Sequence, residues 1–272
     1  MEEQGTGNPR SGTRPLIGVE TLDGIGVLTL SNPARRNALN HAMMRELTAA
    51  LQRLERARIR VVILRAEPGA SVWSAGHDIS ELPVGGMDPL RYEEPMEETL
   101  RAVRMFPGPV VAMIHGSVWG GAFDLALSCD MVMADETATF AITPVNLGLP
   151  YNTTGLLHFM GRLRLNVVKE FFFTAAPVDA ATAVEWGVIN HLVPAAELEA
   201  YTMGVARRMA SKAPLAMAVI KEQMRVLTDY QPVAAQTFER LQDMRRRVYD
   251  SADYREGIAA FREKRPAVFK GE

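Results

Sequence analysis

Two hydrophobic periods divide this chain. Residues 16–30 hold two apolar, β-branched runs around Asp23-Gly24, a turn dipeptide that tolerates positive φ, and so predict a β-hairpin. Past Asn40 the period lengthens. Met43, Met44, Leu47, Ala50, Leu51 and Leu54 share one helical stripe, with Asn40 placed to N-cap it. The unbroken apolar runs at 61–64, 110–114 and 131–134 are too short for helices and predict buried strands. Residues 83–95 run from Pro83 to Pro95 through Gly85-Gly86 and Asp88-Pro89. They predict a surface loop or lid beside a site. Thr139, Phe140 and Leu147 mark a further short strand and turn. Pro150-Tyr151-Asn152 then opens a stretch that is helical nearly to the end, punctuated by Pro177, Gly187, Pro194, Pro214 and Pro232.

Strands alternate with helices in the first half and helices dominate the second, so the fold class is α/β with a helical C-terminal part. The expected divisions are a disordered polar tail over 1–14, an α/β core over 15–205 and a helical region over 206–272. The tail lacks the apolar stretch of a signal peptide. With 47% hydrophobic residues, the 272-residue chain can bury a large core. A net charge of −2 supplies no basic surplus for nucleic acid or an anionic membrane. No apolar run reaches the roughly 18–20 residues of a membrane span. A cytoplasmic enzyme is the expectation. Cys129 is the only cysteine, which excludes disulfide scaffolds and cysteine zinc sites, and its apolar helix end predicts a buried inert thiol.

The candidate chemistry lies in two loops, Ser74-Ala75-Gly76-His77-Asp78-Ile79 and Gly116-Ser117-Val118-Trp119-Gly120-Gly121-Ala122-Phe123. Holding a developing oxyanion takes two N–H groups that converge on one oxygen. Gly120-Gly121 opens a helix whose first N–H groups have no intrahelical partner, at the end where the dipole favours negative charge. The second N–H is assigned to the backbone of His77. Each loop alone is a weak signal. Together, each following a strand, they form two edges of one pocket.

These residues resemble the crotonase (enoyl-CoA hydratase/isomerase) superfamily, and within it most closely the bacterial decarboxylases of methylmalonyl-CoA. The closer likeness is carried by the two loops, by Glu81-Leu82-Pro83 and Asp88-Pro89-Leu90, and by Thr143-Pro144-Val145-Asn146-Leu147-Gly148 with Pro150-Tyr151-Asn152. Lys212 to Ala216, Ala218 to Glu222 and Tyr249-Asp250-Ser251 extend it. The resemblance implies a crotonase-like spiral of ββα units with an α-helical C-terminal trimerisation region, assembled as homotrimers or dimers of trimers. It implies a coenzyme A thioester whose carbonyl oxygen sits between the His77 and Gly121 N–H groups. Coenzyme A contacts are implied along Ala75, Gly76, His77, Asp78 and Ile79, at Arg36 and Ala38, and at Phe261 and Lys264.

Enoyl hydration needs a carboxylate acid/base pair. In the resembling hydratases glutamates occupy the positions of Asp124 and Pro144. Proline cannot titrate, and Asp124 is read as a supporting carboxylate behind the substrate. Decarboxylation fits better. A malonyl-type thioester already holds the enolate electrons in the bond to its carboxylate, so no base is required. A Lys or Arg clamp on that carboxylate would stabilise the ground state and slow the reaction. Tyr151 is the expected neutral donor to the carboxylate, with Thr143 a second contact. The expected reaction is methylmalonyl-CoA to propionyl-CoA and CO2, without metal, biotin or nicotinamide. The rivals are an enoyl-CoA hydratase or isomerase with a relocated acid/base group, and a non-catalytic acyl-CoA-binding subunit. Trp73, Trp119 and Trp186 are read as packing residues, with Trp119 near enough to Gly121 to line the pocket, and Arg245-Arg246-Arg247 as a solvated or subunit-facing stripe.

Overall fold

The hairpin forms as expected, as β1 (Ile17–Leu22) and β2 (Ile25–Leu30), antiparallel through a turn with Asp23 and Gly24 both at positive φ. The structure, a computed structural model, describes residues 14–83, 85–229 and 232–272. The expected disordered tail, apart from Arg14, lies outside the described residues. Helix α1 (His41–Arg56) starts at Asn40, whose side chain accepts from the Met43 N–H, and it buries the predicted stripe.

The chain then alternates between two sheets. β3 (Val61–Ala66), β5 (Val110–Ile114) and β7 (Met131–Ala134) extend the first. β4 (Val72–Ser74), β6 (Ser117–Trp119) and β8 (Thr139–Ala141) build the second. Helices α2 (Pro95–Met105) and α3 (Gly121–Ser128) fall between these strands. Helices α4 (Thr153–Met160) and α5 (Leu165–Thr174), strand β9 (Val178–Asp179), helix α6 (Ala180–Glu185) and strand β10 (His191–Leu192) follow. The six-stranded sheet runs β1-β2-β3-β5-β7-β10 and the four-stranded sheet β4-β6-β8-β9. Each long parallel strand is followed by a short one in the other sheet, which is the ββα spiral. Helices α7 (Leu198–Ala210), α8 (Pro214–Asp229), α9 (Ala235–Tyr249) and α10 (Ala252–Glu263) complete the chain.

Burial explains the strand sequences. β3 and β5 are covered on both faces, by the main core on one side and α7 on the other, so they are continuous apolar runs rather than alternating ones. The main core centres on Phe123, whose ring packs against Phe140, Phe159 and Phe171 at centroid distances of 5.0–5.2 Å.

Two departures from the sequence pattern bear on the site. First, the expected 83–95 loop gives way at its last residue to a helix that the sequence pattern did not mark. Pro95 takes the first helical position, where its missing N–H costs nothing, and Glu97 and Glu98 meet the positive end of the dipole. Second, the C-terminal arginines are not one solvated stripe. Arg246 is exposed beside Asp243, but Arg245 is buried and grips Asp88 with two bonds, at 2.8 and 2.9 Å. Tyr249 donates to the same carboxylate at 3.0 Å. The loop that looked like a lid is therefore anchored to α9.

Candidate active site

The loop after β4 uses its amides selectively. Ala75 N–H donates to the Arg36 carbonyl, Gly76 N–H to the Ser74 hydroxyl and Asp78 N–H to the Leu39 carbonyl. The His77 N–H has no partner among the described residues. Across from it, Gly120 N–H is tied to the Ala141 carbonyl, while Gly121 N–H, at the start of α3, has no partner among the described residues. The two free donors converge: a side-chain carbon built at Gly121 would lie 3.6 Å from the His77 nitrogen. Gly76 makes this approach possible. Its φ is +83°, and a Cβ there would meet the Trp119 carbonyl oxygen at 2.2 Å. The His77 ring is not part of this pair. Burial first, and then the nearby His41, push its pKa down to about 4, and its Nδ1 is buried without a partner. The imidazole is uncharged at neutral pH.

From these donors the site extends in two directions. An inner pocket is lined by Met96, Glu97, Asp124, Thr143, Pro144 and Tyr151, and no Lys or Arg lines it. An outer groove is lined by Arg35, Arg36, Ala38, Ala75, His77, Asp78, Ile79, Trp119, Thr143, Phe261 and Arg262. Asp78 is spoken for within this groove. It caps the 79–81 turn through Ser80 and pairs with Arg35 at 2.9 Å. Burial raises its carboxyl pKa, but the bonds from Ser80 and Arg35 outweigh that and hold it below the ordinary value. Of the expected contacts, Gly76 and Lys264 are not among the residues lining this groove; Lys264 sits beyond the last turn of α10 as an exposed left-handed cap, while Arg262 lines the groove.

Tyr151 stands where expected but its hydrogen is committed. The hydroxyl donates to Asp124 Oδ2 at 2.9 Å, and the ring packs on Phe159 and Phe172. Burial and the Asp124 charge hold the phenol neutral, with its pKa well above the ordinary value. A phenol has one hydrogen, so to donate to a substrate carboxylate, the role expected of it, this one must turn away from Asp124. The other Asp124 oxygen is 2.8 Å from His158 Nδ1.

A second carboxylate reaches the pocket from a position the sequence did not mark. Glu97 enters from α2, only 3% exposed, with Oε1 accepting from Asn152 Nδ2 at 2.6 Å. Burial, and then Asp124, push its carboxyl above its ordinary value.

An enoyl-CoA hydratase/isomerase family model matches residues 20–272. The chain belongs to the enoyl-CoA hydratase/isomerase family. It is 46% identical over 255 residues to methylmalonyl-CoA decarboxylase of Escherichia coli (strain K12), covering 94% of this chain and 98% of that one. Human mitochondrial enoyl-CoA hydratase domain-containing protein 3 is 35% identical over 210 residues, 76% of this chain and 68% of that protein. A solved structure of methylmalonyl-CoA decarboxylase in complex with 2-nitronate-propionyl-CoA aligns at a TM-score of 0.93 and 46% identity, covering 94% and 99% of the two chains. Another, complexed with 2S-carboxypropyl-CoA, aligns at 0.93 and 45%, covering 96% and 100%. The crotonase fold is thereby established.

In this family member the two loops were legible as motifs because each is a run of consecutive residues, whereas the groove, lined by residues from Arg35 to Arg262, was expected only from the family resemblance. Glu97 and His158 were not legible. Pro95 with Met96, Leu100 and Val103 at helical spacing marks α2 in retrospect, but nothing in the sequence turns Glu97 inward. Cys129 is the inert thiol expected, 1% exposed and pushed up to about 12 by burial. Trp73 is buried, whereas Trp119 lines the groove.

Proposed function

We propose that this protein decarboxylates methylmalonyl-CoA to propionyl-CoA and CO2. The observation that carries the proposal is the pairing of two free backbone N–H donors with an inner pocket that has no cationic lining. The thioester oxygen lies between His77 and Gly121. As the C–CO2 bond breaks, charge gathers on that oxygen, where one such donor contributes roughly 3–4 kcal/mol. A carboxylate without a Lys or Arg partner is not stabilised in the ground state, so the donors favour the transition state selectively. Tyr151 orients the carboxylate by turning its hydrogen from Asp124, with Thr143 beside it. The groove of Arg36, Ala38, Ala75, Asp78, Ile79 and Phe261 holds coenzyme A, with Gly76 shaping its wall. Arg262 lines the same groove, and Lys264, two residues on, is kept as a coenzyme A contact. The reaction needs no added cofactor, because coenzyme A belongs to the substrate and the electrons come from the breaking bond.

Similarity to methylmalonyl-CoA decarboxylase supports this reading. Glu97 beside Asp124 favours hydration as a second reading. Against it, the chain is 46% identical to a methylmalonyl-CoA decarboxylase, and Asp124 already accepts from Tyr151 and pairs with His158. Incubating the purified protein with methylmalonyl-CoA and, separately, with crotonyl-CoA decides between them. Propionyl-CoA and CO2 from the first support decarboxylation; turnover of crotonyl-CoA alone would overturn it.

Among the described residues no helix is long and apolar enough to cross a membrane, and we place the enzyme in the cytoplasm. We also infer a homotrimer or dimer of trimers. Helix α8 buries no residue and exposes Leu215 (82%) and Leu227 (78%), an apolar face that a second copy would cover. Light scattering giving a monomer mass at micromolar concentration would refute that.

A further inference from the structure

Loss of CO2 leaves an enolate that needs a proton at C2, and neither backbone donor can supply one. We propose that Glu97 is the general acid that protonates C2 of the enolate. The proposal rests on the decarboxylase reading and extends it to the second half of the reaction.

Position comes first. Glu97 follows Met96, whose terminal methyl lies 3.1 Å from where a Gly121 side chain would begin. The start of α2 thus abuts the oxyanion donor, and Glu97 lines the same inner pocket. Its carboxyl is held from one side only. Asn152 N-caps α4 through Oδ1, which accepts from Gly155 N–H at 2.9 Å, and this fixes the amide so that Nδ2 points at Glu97 Oε1. Glu97 Oε2 takes no hydrogen bond from the described residues and is free to carry a proton.

Glu97 is the better placed of the two carboxylates. Asp124 is bonded to Tyr151 and His158, and its negative charge beside Glu97 favours keeping the proton on Glu97. The ionisable groups around Glu97 are Asp124 on α3, His158 on α4, Arg101 one turn along α2, and Tyr151. Asp124 opposes ionisation of Glu97; His158 and Arg101 favour it to a lesser degree than burial and Asp124 oppose it.

The step balances. The C–C bond electrons become the enolate, CO2 departs, and the enolate carbon takes the hydrogen of Glu97 Oε2. This gives propionyl-CoA and a Glu97 carboxylate, which regains its proton from water. By microscopic reversibility the same carboxylate removes an α-proton from propionyl-CoA. The enzyme therefore has a second activity, exchange of the propionyl-CoA α-hydrogen with solvent.

The test uses the full-length enzyme in D2O, with methylmalonyl-CoA as substrate and, separately, with propionyl-CoA alone. Wild type should deuterate C2 on one face and catalyse exchange. Glu97→Gln keeps an acceptor for Asn152, so its melting temperature should stay near wild type. Its exchange should fall about 10²-fold or more, its deuterated product should be racemic at C2, and CO2 release should fall by much less. Glu97→Asp, which restores an acid, should restore single-face deuteration. If Glu97→Gln still deuterates one face and exchanges at the wild-type rate, the proposal is overturned. Failure of the decarboxylase reading looks different: wild type would release no CO2 from methylmalonyl-CoA, whatever its exchange rate.

Discussion

Replacing Tyr151 by Phe tests the core of the mechanism with one atom removed. The ring should stay in place, because its packing on Phe172 at 5.1 Å and Phe159 at 6.1 Å does not involve the oxygen. What disappears is one hydrogen shared between Asp124 and, in the proposed reaction, the substrate carboxylate. A hydrogen bond to a charged group is worth about 1.5–3 kcal/mol. At 1.36 kcal/mol per tenfold, this predicts a loss of roughly 10–150-fold in kcat/KM. If orientation matters chiefly in the transition state, kcat carries most of the loss and KM little of it. Stability should fall as well, since Asp124 is 1% exposed and keeps only His158. For a chain of this size about 2–4 °C of melting temperature accompanies each kcal/mol. Initial rates of propionyl-CoA formation, measured by mass spectrometry beside thermal melts, give both numbers. A variant within twofold of wild type in kcat/KM would remove Tyr151 from the mechanism.

Gly155→Ala should disturb the same tyrosine without touching it in sequence, because the added Cβ would lie 2.3 Å from Tyr151 Cε1 and 2.5 Å from Asn152 Oδ1. Overpacking of this kind costs about 1–3 kcal/mol, so the melt should fall and activity with it; a variant as stable and active as wild type would mean that the ring moves freely. Gly76→Ala places a methyl 2.2 Å from the Trp119 carbonyl at a positive φ, which should separate the two donors and lower kcat at least tenfold, read by steady-state kinetics. His77 binds its proton less readily when folded, with a pKa pushed down to about 4 against an unfolded value near 6.5. The unfolded state then holds more protons between those values, so stability should fall as pH drops from about 6.5 to 4. Denaturant titrations of wild type and His77→Asn should show this acid sensitivity reduced in the variant, which keeps the backbone N–H; equal slopes would contradict the buried neutral ring.

The hairpin at Asp23-Gly24, the Asn40 cap, the buried strands and the two donor loops were all readable before any coordinates. Each depends on residues within one turn or one apolar run of each other. Helix α2 was obscured because its start at Pro95 closes a segment dense in Gly and Pro, whose breaker signal dominates the local pattern. Arg245 was misjudged for a related reason: a triple arginine looks solvated until Asp88, far away in sequence, supplies the two bonds that allow burial.

By itself, the sequence determined the fold class and marked the two candidate donor loops, since glycine placement, capping and hydrophobic period act locally. The tertiary structure alone decided the pocket's charge. It brought Glu97, Asp124, Tyr151 and His158 together from three helices and a turn, bonded Asp124 to Tyr151 and His158, and left one Glu97 oxygen without a partner among the described residues. Which carboxylate can hold a proton depends on burial and on neighbouring charge, and both are properties of the packed whole.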